Sequence, residues 1–514
     1  MTDWSQGYVT DVGYTHGYYQ ELNPLRAQLA LLNAGIQPPA VNVACELGIG
    51  QGVSLNIHAA ASEVEWWGND FNPSHAMFAQ DLARASCAKA NVRDQPFAEF
   101  CADDTLPDFD FICLHGIWSW ISDANRSCIT DFIARKLKVG GVLLVSYNTQ
   151  PGWANFAPVR HLMTRFTSSR VGPGYETPAK ITSALSFMEE VLSKDPAFFE
   201  LNPQARTRFA DMKGRPLNYL AHEYFNLDWR PTYFGEMDDY LAQAKLSYVT
   251  SARLTTGMMG IDLTEDQHKF LDTVSYPVLR EELQDFMTNQ QFRKDYWVKG
   301  GKRLTAFEQR EALRKLSVVL TVDKEDVELS LKGIRGDVGL KPEVYQPILD
   351  ALEDHDPIAV GSLEADLEDG NDVNLPQIQQ ALMVLGEKAA VAVVSDHAQS
   401  GVVEKQCAGL TTHLMAQSQY DSNVAVLPCP ITAGGLTLTR VEQLLAMSAE
   451  SGADLPNDWA ESAWRCLEQQ GEKIVKDGKT LESDLENLNE LKRAADAFAQ
   501  RLPVLRRLKV LSKS

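Results

Sequence analysis

Seven residues near the start of the chain, Glu46-Leu47-Gly48-Ile49-Gly50-Gln51-Gly52, set an acid and then three glycines at alternate positions. Residues 41–47 read as a short buried strand, and a helix follows through Leu55 and Ile57, so the glycines occupy a strand-to-helix turn. Glycines there let the backbone approach a ligand closely. The dinucleotide fingerprint wants its third glycine one position later, where this chain has Val53. An acid opening the turn also suits a pyrophosphate poorly. It suits S-adenosylmethionine, which has no phosphate but carries a sulfonium and an ammonium that a carboxylate such as Glu46 compensates.

Two further acids extend the pattern. Asp70 closes a strand read at 64–68, where a carboxylate can take both ribose hydroxyls. Asp103 follows a strand read at 97–102, where it can accept from an adenine amino group. In this reading Glu46, Asp70 and Asp103 end three successive strands and face one crevice. Each alone is equally well a helix cap or a surface carboxylate. Tyr14, with His16 and Tyr18, lies in an N-terminal stretch rich in Gly and Tyr. That stretch is either a lid over the cofactor or simple packing.

Residues for the acceptor follow the next two strands. His115-Gly116-Ile117-Trp118-Ser119-Trp120 comes after a strand at 109–114, and Tyr147-Asn148 ends a strand at 142–147. An exocyclic base amine would call for Asn/Asp-Pro-Pro-aromatic at the first position, so a base acceptor is disfavoured. A lysine amine, with a free pKa of ~10.4, must arrive neutral. A neighbouring sulfonium and desolvating aromatics both favour the neutral form. Trp118, Trp120, Tyr147 and Trp153 could form that wall, with the Tyr147 hydroxyl and Asn148 carbonyl orienting the amine. Alternatively, His115 takes a proton from a hydroxyl acceptor, caps its turn or contacts adenosine. Trp118 and Trp120 are equally readable as core aromatics. His222 and Glu223, on an amphipathic helix, read first as structural.

The elements that must position these residues alternate strand and helix five times before residue 150, the pattern of a doubly wound parallel α/β sheet. Residues 153–230 read as a helical insertion with a Gly172-Pro173-Gly174 break. A helix at 234–244 and a strand at 246–254 could then complete the first sheet. Val327, Leu329 and Leu331 alternate as a hairpin strand. The nine acids of residues 350–372, without Lys or Arg, read as a solvated loop. Residues 424–439 read as a boundary loop. A helix from Leu481 ends at Pro503.

Several stretches resemble class I methyltransferases that carry a methyltransferase regulatory domain, whose best-known members are rickettsial outer-membrane-protein lysine methyltransferases. They are His115–Trp120 and 145–153, then Tyr219-Leu220-Ala221-His222-Glu223-Tyr224, 230–235 and 424–432. The resemblance spans 8–300 strongly and 305–450 loosely. It implies a Rossmann-like methyltransferase sheet with a helical insertion and a C-terminal α+β, largely helical accessory half. The corresponding domains are a core at 1–152 and 231–300, a dimerisation insert at 153–230, a middle domain at 301–400 and a C-terminal domain at 401–514. The N-terminal stretch 8–19 departs from the lysine enzymes, which carry a proline-rich segment there.

Composition bounds the rest. The 514 residues carry a net charge of −21, which disfavours a nucleic-acid partner. The eight cysteines form no C-x-x-C pair, so they read as free thiols of a reducing cytoplasm and no metal is expected. Neither a signal peptide nor a membrane span is read. Arg501, Arg506, Arg507, Lys509 and Lys513 among leucines form a basic tail that reads as a solvated helix end or, alternatively, a contact with membrane or partner. The expected activity is methyl transfer from S-adenosylmethionine, leaving S-adenosylhomocysteine, to a protein lysine by a cytoplasmic homodimer. The alternatives are a glycan or small-metabolite O- or N-methyltransferase and a silent cofactor-binding scaffold.

Overall fold

The computed structural model describes residues 8–170, 175–334, 336–371 and 373–512. The Gly172-Pro173-Gly174 break and Lys513 lie outside them. The chain opens with α1 (Pro24–Asn33), capped by Asn23 with Pro24 in its first turn, the placement in which proline's missing N–H costs nothing. Strand and helix then alternate: β1 (Val43–Leu47), α2 (Val53–Ala60), β2 (Glu65–Asp70), α3 (Pro73–Ser86), β3 (Ala90–Asp94), α4 (Phe97–Ala102), β4 (Phe109–Leu114), α5 (Asp123–Lys136) and β5 (Leu137–Asn148). The insertion supplies α6 (Ala157–Arg170), α7 (Thr177–Leu192), α8 (Ala197–Leu201), α9 (Pro203–Lys213) and α10 (Leu217–Tyr224). α11 (Phe234–Ala242), β6 (Leu246–Ser251) and β7 (Phe292–Lys299) return the chain to the first sheet.

That sheet has the order β3-β2-β1-β4-β5-β7-β6. Strands β1 to β5 run parallel, and β7 runs antiparallel to both β5 and β6. This is the Rossmann-like sheet of the class I methyltransferase fold. The order reverses between β1 and β4, so the crevice outside their C-terminal ends is where such a sheet binds its ligand.

Four apolar clusters surround the sheet. One face packs on Phe100, Phe132 and Trp118. The core under the other face runs on into residues 313–393, through Leu29, Leu254 and Leu385. The insertion has its own core around Trp153, Phe156 and Phe209. The C-terminal residues pack on Val53, Ile57 and Leu82 of the sheet's own helices. As a result α2 is buried all round, and His58 Nδ1 lies 3.2 Å from the Ala433 carbonyl of the C-terminal hairpin.

Four sequence expectations fail here for physical reasons. Residues 97–102 are helix, not strand. Phe97, Phe100 and Cys101 are the buried ones, an i, i+3, i+4 face. The third strand is the mostly polar β3 at the sheet edge. Residues 360–371 are helical, because Val360, Leu363 and Leu367 turn one apolar face inward despite the acids. Residues 424–439 contain a hairpin of Val426–Cys429 with Gly434–Thr437, not a loop. Pro503 lies inside the helix Asp484–Arg507 rather than ending it.

The basic tail is spent on the chain's own acids. Arg501 pairs with Glu442, Arg506 with Glu450, Arg507 with Asp356 and Lys509 with Glu404. This leaves those four cations little charge for a membrane surface. Among the described residues no helix is long and apolar enough to cross a membrane.

Candidate functional site

The β1–α2 turn holds all three glycines in the left-handed region, with φ of 69°, 54° and 67° at Gly48, Gly50 and Gly52. A Cβ on Gly48 would stand 2.6 Å from Ile117, and one on Gly52 2.5 Å from Ala79. The turn thus exposes bare backbone to the crevice while α3 packs tightly behind it. Asp70, at the end of β2, ties the turn down. One of its oxygens accepts from the Gly50 N–H at 2.9 Å. The other accepts from the Asn72 N–H at 2.9 Å and lies 3.3 Å from His75 Nδ1.

Above the turn lies a cavity lined by Gly48, Gly50 and Asp70 with Phe97, Ile117 and Trp120. Tyr8 and Tyr14 of the N-terminal segment close it, and the Tyr14 ring lies over Gly50. Glu46 is buried beneath the turn. Burial, then the charge of Asp70, pushes its carboxyl up to about 8. Its Oε2 has no hydrogen-bond partner among the described residues. A cation arriving near such a carboxyl is stabilised, and the carboxyl ionises in response.

A second cavity adjoins the first. Tyr8, Tyr14 and Trp120 line both. Its other walls include Tyr19, His115, Asn148, Trp153, Tyr219, Glu223 and Phe292. The Asn148 Nδ2 is buried with no partner among the described residues. His115 Nδ1 stands 3.5 Å from Glu21, too far for a good bond, and Glu21 is held instead by Lys294 at 2.9 Å. Burial lowers the His115 imidazole to about 4, so it is neutral near pH 7.

Of the expected site residues, Glu46 and Gly52 belong to the turn but line neither cavity, and three lie elsewhere. Asp103 caps the far end of α4, half-buried, with its Oδ1 accepting from the Thr105 N–H and hydroxyl at 2.8 and 2.6 Å. The chain leaves β3 at the crevice with Pro96 and Phe97, and α4 carries Asp103 away from it. Tyr147 points to the opposite sheet face from Asn148, since alternate strand residues do. Its hydroxyl donates to Asp295 at 2.8 Å, in a buried network where Arg293 also binds Asp285 and Glu281. Trp118 is a fully buried core residue against Tyr240, whereas Trp120 reaches the cavities. Phe97 and Ile117 were not expected. The apolar i, i+3, i+4 spacing from Phe97 was the available signal, because it moves the strand end back to residue 94.

The N-terminal segment is pinned on both sides of the cavities. Asp11 accepts from the Thr177 N–H at 2.8 Å, and the Val12 carbonyl from His222 Nε2 at 3.1 Å. The Tyr18 hydroxyl accepts from the Gly435 N–H at 2.8 Å.

Residues 216–299 match the family described as "Predicted methyltransferase regulatory domain". An uncharacterized protein of Synechocystis is 37% identical over 512 residues, covering 98% of this chain and 99% of the relative. The chain belongs to this family. An uncharacterized protein of Rickettsia prowazekii is 25% identical over 320 residues, 61% of this chain and 57% of that protein. The structure of PKMT2 from Rickettsia typhi, in complex with AdoHcy, superposes with a TM-score of 0.68 at 18% identity. It covers 96% of this chain and 99% of that one. The family's regulatory-domain segment, 216–299, contributes all of α10 together with β6 and β7. It therefore spans one wall of the second cavity and the antiparallel edge of the sheet.

Proposed function

We propose that this chain is an S-adenosylmethionine-dependent methyltransferase whose acceptor is a protein lysine amine. The observation that carries the reading is the pair of cavities meeting at Tyr8, Tyr14 and Trp120. One has a glycine turn with an acid on its floor, and the other has aromatic walls. The residues of the first fit the cofactor. The turn leaves bare backbone, Asp70 sits where ribose hydroxyls would be taken, and the orphaned Glu46 oxygen fits a cation. The AdoHcy held by the R. typhi protein supports the same assignment. When bound, the cofactor supplies an electrophilic methyl carbon, which the acceptor lone pair takes while the carbon–sulfur electron pair stays on sulfur.

The protein's share is alignment and dryness. Tyr14 covers the turn, and Trp120 separates the two cavities while touching both. The Asn148 side chain offers a polar contact to an incoming amine. A hydroxyl acceptor is less well served, because His115 near 4 is a weak base for it. The reading extends to a cytoplasmic homodimer assembled through 153–230, where Leu201 and Tyr175 are exposed apolar residues.

Incubation with methyl-labelled cofactor and protein fractions of the source organism tests the acceptor. Label that survives acid and base in protein supports lysine. Label confined to lipid, glycan or small molecules overturns it. Light scattering tests the dimer, and a monomeric mass contradicts it.

A further inference from the structure

The second cavity contains a carboxylate without a hydrogen-bonded partner among the described residues. Glu223, on α10, turns its side chain into the cavity. Among the described residues it makes no hydrogen bond and no ion pair. Its neighbours on the same helix are committed. Leu220, Ala221 and Tyr224 join the insertion core, and His222 holds the N-terminal segment. The helix is thus fixed without Glu223.

The nearby cations attract Glu223 without bonding to it, and direct their hydrogen bonds and ring contacts elsewhere. Arg160 donates to the Asn226 carbonyl at 2.6 Å and lies 4.6 Å over the Trp229 ring. Arg208 lies 3.7 Å over the Trp153 ring and donates to Gln291 at 3.2 Å. Glu223 is half-buried, and a carboxylate partly withdrawn from water without protein donors carries a cost. It persists most readily where a cation or a proton is due to arrive.

We infer that Glu223 is the residue that receives the acceptor ammonium in the second cavity and takes one proton from it. This rests on the methyltransferase reading above. An N–H bond of the ammonium breaks, an O–H bond forms on Glu223, and the electron pair remains on nitrogen as the lone pair that reacts. The proton then passes to water and the carboxylate is restored. Burial pushes the Glu223 carboxyl up to about 7, against the opposing pull of Arg208 and Arg160. A base poised near the working pH is the effective kind. The other titratable groups around it are Tyr219, His222 and Tyr224 on its own helix, Tyr8, Tyr14 and Tyr19 from the N-terminal segment, and His115 beyond β4. The neighbouring tyrosine hydroxyls Tyr8, Tyr14 and Tyr219 are raised, and the His222 and His115 imidazoles are lowered. Glu223 is the group of this set that changes charge near neutrality.

The test compares wild type with Glu223→Gln and Glu223→Asp. With S-adenosylhomocysteine present, calorimetry titrates N-acetyl-lysine amide as the probe. Glu223→Gln should weaken it by roughly tenfold or more, with S-adenosylhomocysteine affinity unchanged. In labelling of the source protein fraction, Glu223→Gln should lose about 100-fold in rate. It should also lose the acidic limb of the pH–rate profile, and Glu223→Asp should restore part of both. A Glu223→Gln protein that binds the probe and labels as wild type does, with the same pH profile, overturns the inference alone. Failure of wild type to bind S-adenosylmethionine or to label any fraction overturns the methyltransferase reading instead. If Glu223→Gln misfolds, Glu223→Asp decides: wild-type probe affinity and an unshifted pH limb would count against the inference.

Discussion

The floor of the cavity over the glycine turn is bare backbone and one short acid at the ends of β1 and β2, and only its rim is built of larger side chains such as Tyr14, Phe97 and Trp120. The cavity beside it is made of long side chains brought in from the N-terminal segment, β4, β5, α9, α10 and β7. In the first, the floor is set within about 25 residues of sequence, from Glu46 to Asp70, although the rim draws on distant residues. In the second, Glu223 and Asn148 meet only because the insertion folds back over the sheet. The local cavity suits a ligand that never changes, while the assembled one can be reshaped by altering the insertion without disturbing the turn. The two share Tyr8, Tyr14 and Trp120, so the acceptor and cofactor would meet across those rings.

The contrast can be broken most forcefully at the turn. Gly52→Val forces a side chain into the left-handed region and against Ala79. It should cost about 100-fold in S-adenosylmethionine affinity, from ~2–4 kcal/mol of strain and overpacking. Unchanged affinity by calorimetry would mean the turn is not the cofactor floor.

A smaller effect is proton linkage at Glu46. Without cofactor its carboxyl sits at about 8, against an ordinary 4.5. Its contribution to stability is therefore complete below 4.5 and lost as pH rises through 8. A bound cation favours the ionised form. Cofactor affinity should then rise with pH up to about 8 and level off above it, with at most about tenfold per pH unit. Calorimetry in buffers of different ionisation enthalpy should detect the released proton, and a flat pH dependence would remove Glu46 from the site.

The smallest effect separates core from cavity. Tyr147→Phe removes one buried hydrogen bond to Asp295 and should cost about 1–2 kcal/mol in denaturant unfolding. It should leave cofactor affinity as it was. A loss of affinity without a loss of stability would return Tyr147 to the site.

The same locality decides what was legible in the sequence. The turn and Asp70 were readable because strand, glycines and acid are close neighbours in sequence. Asp103 was misassigned because β3 is an edge strand with the sequence Ala90-Asn91-Val92-Arg93-Asp94, too polar to announce itself beside the apolar helix that follows. β7 was unread because Arg293, Lys294 and Asp295 are charged, although the Arg293 and Asp295 charges are buried and paired within the sheet. The hairpin at 426–437 carries prolines and paired glycines, and it is buried because α2 and the helix Gly401–Ser418 pack against it. Glu223 and Asn148 were each visible, but nothing in their spacing could show that they line one cavity.

The central claim is that the glycine turn and Asp70 together hold S-adenosylmethionine. Calorimetry of wild type, Asp70→Ala and Asp103→Ala tests it most directly. Wild type and Asp103→Ala should bind alike, because Asp103 caps the far end of α4 and lines neither cavity, while Asp70→Ala should lose about 100-fold, the scale of losing charged hydrogen bonds. No binding by wild type, or undiminished binding by Asp70→Ala, would contradict the account.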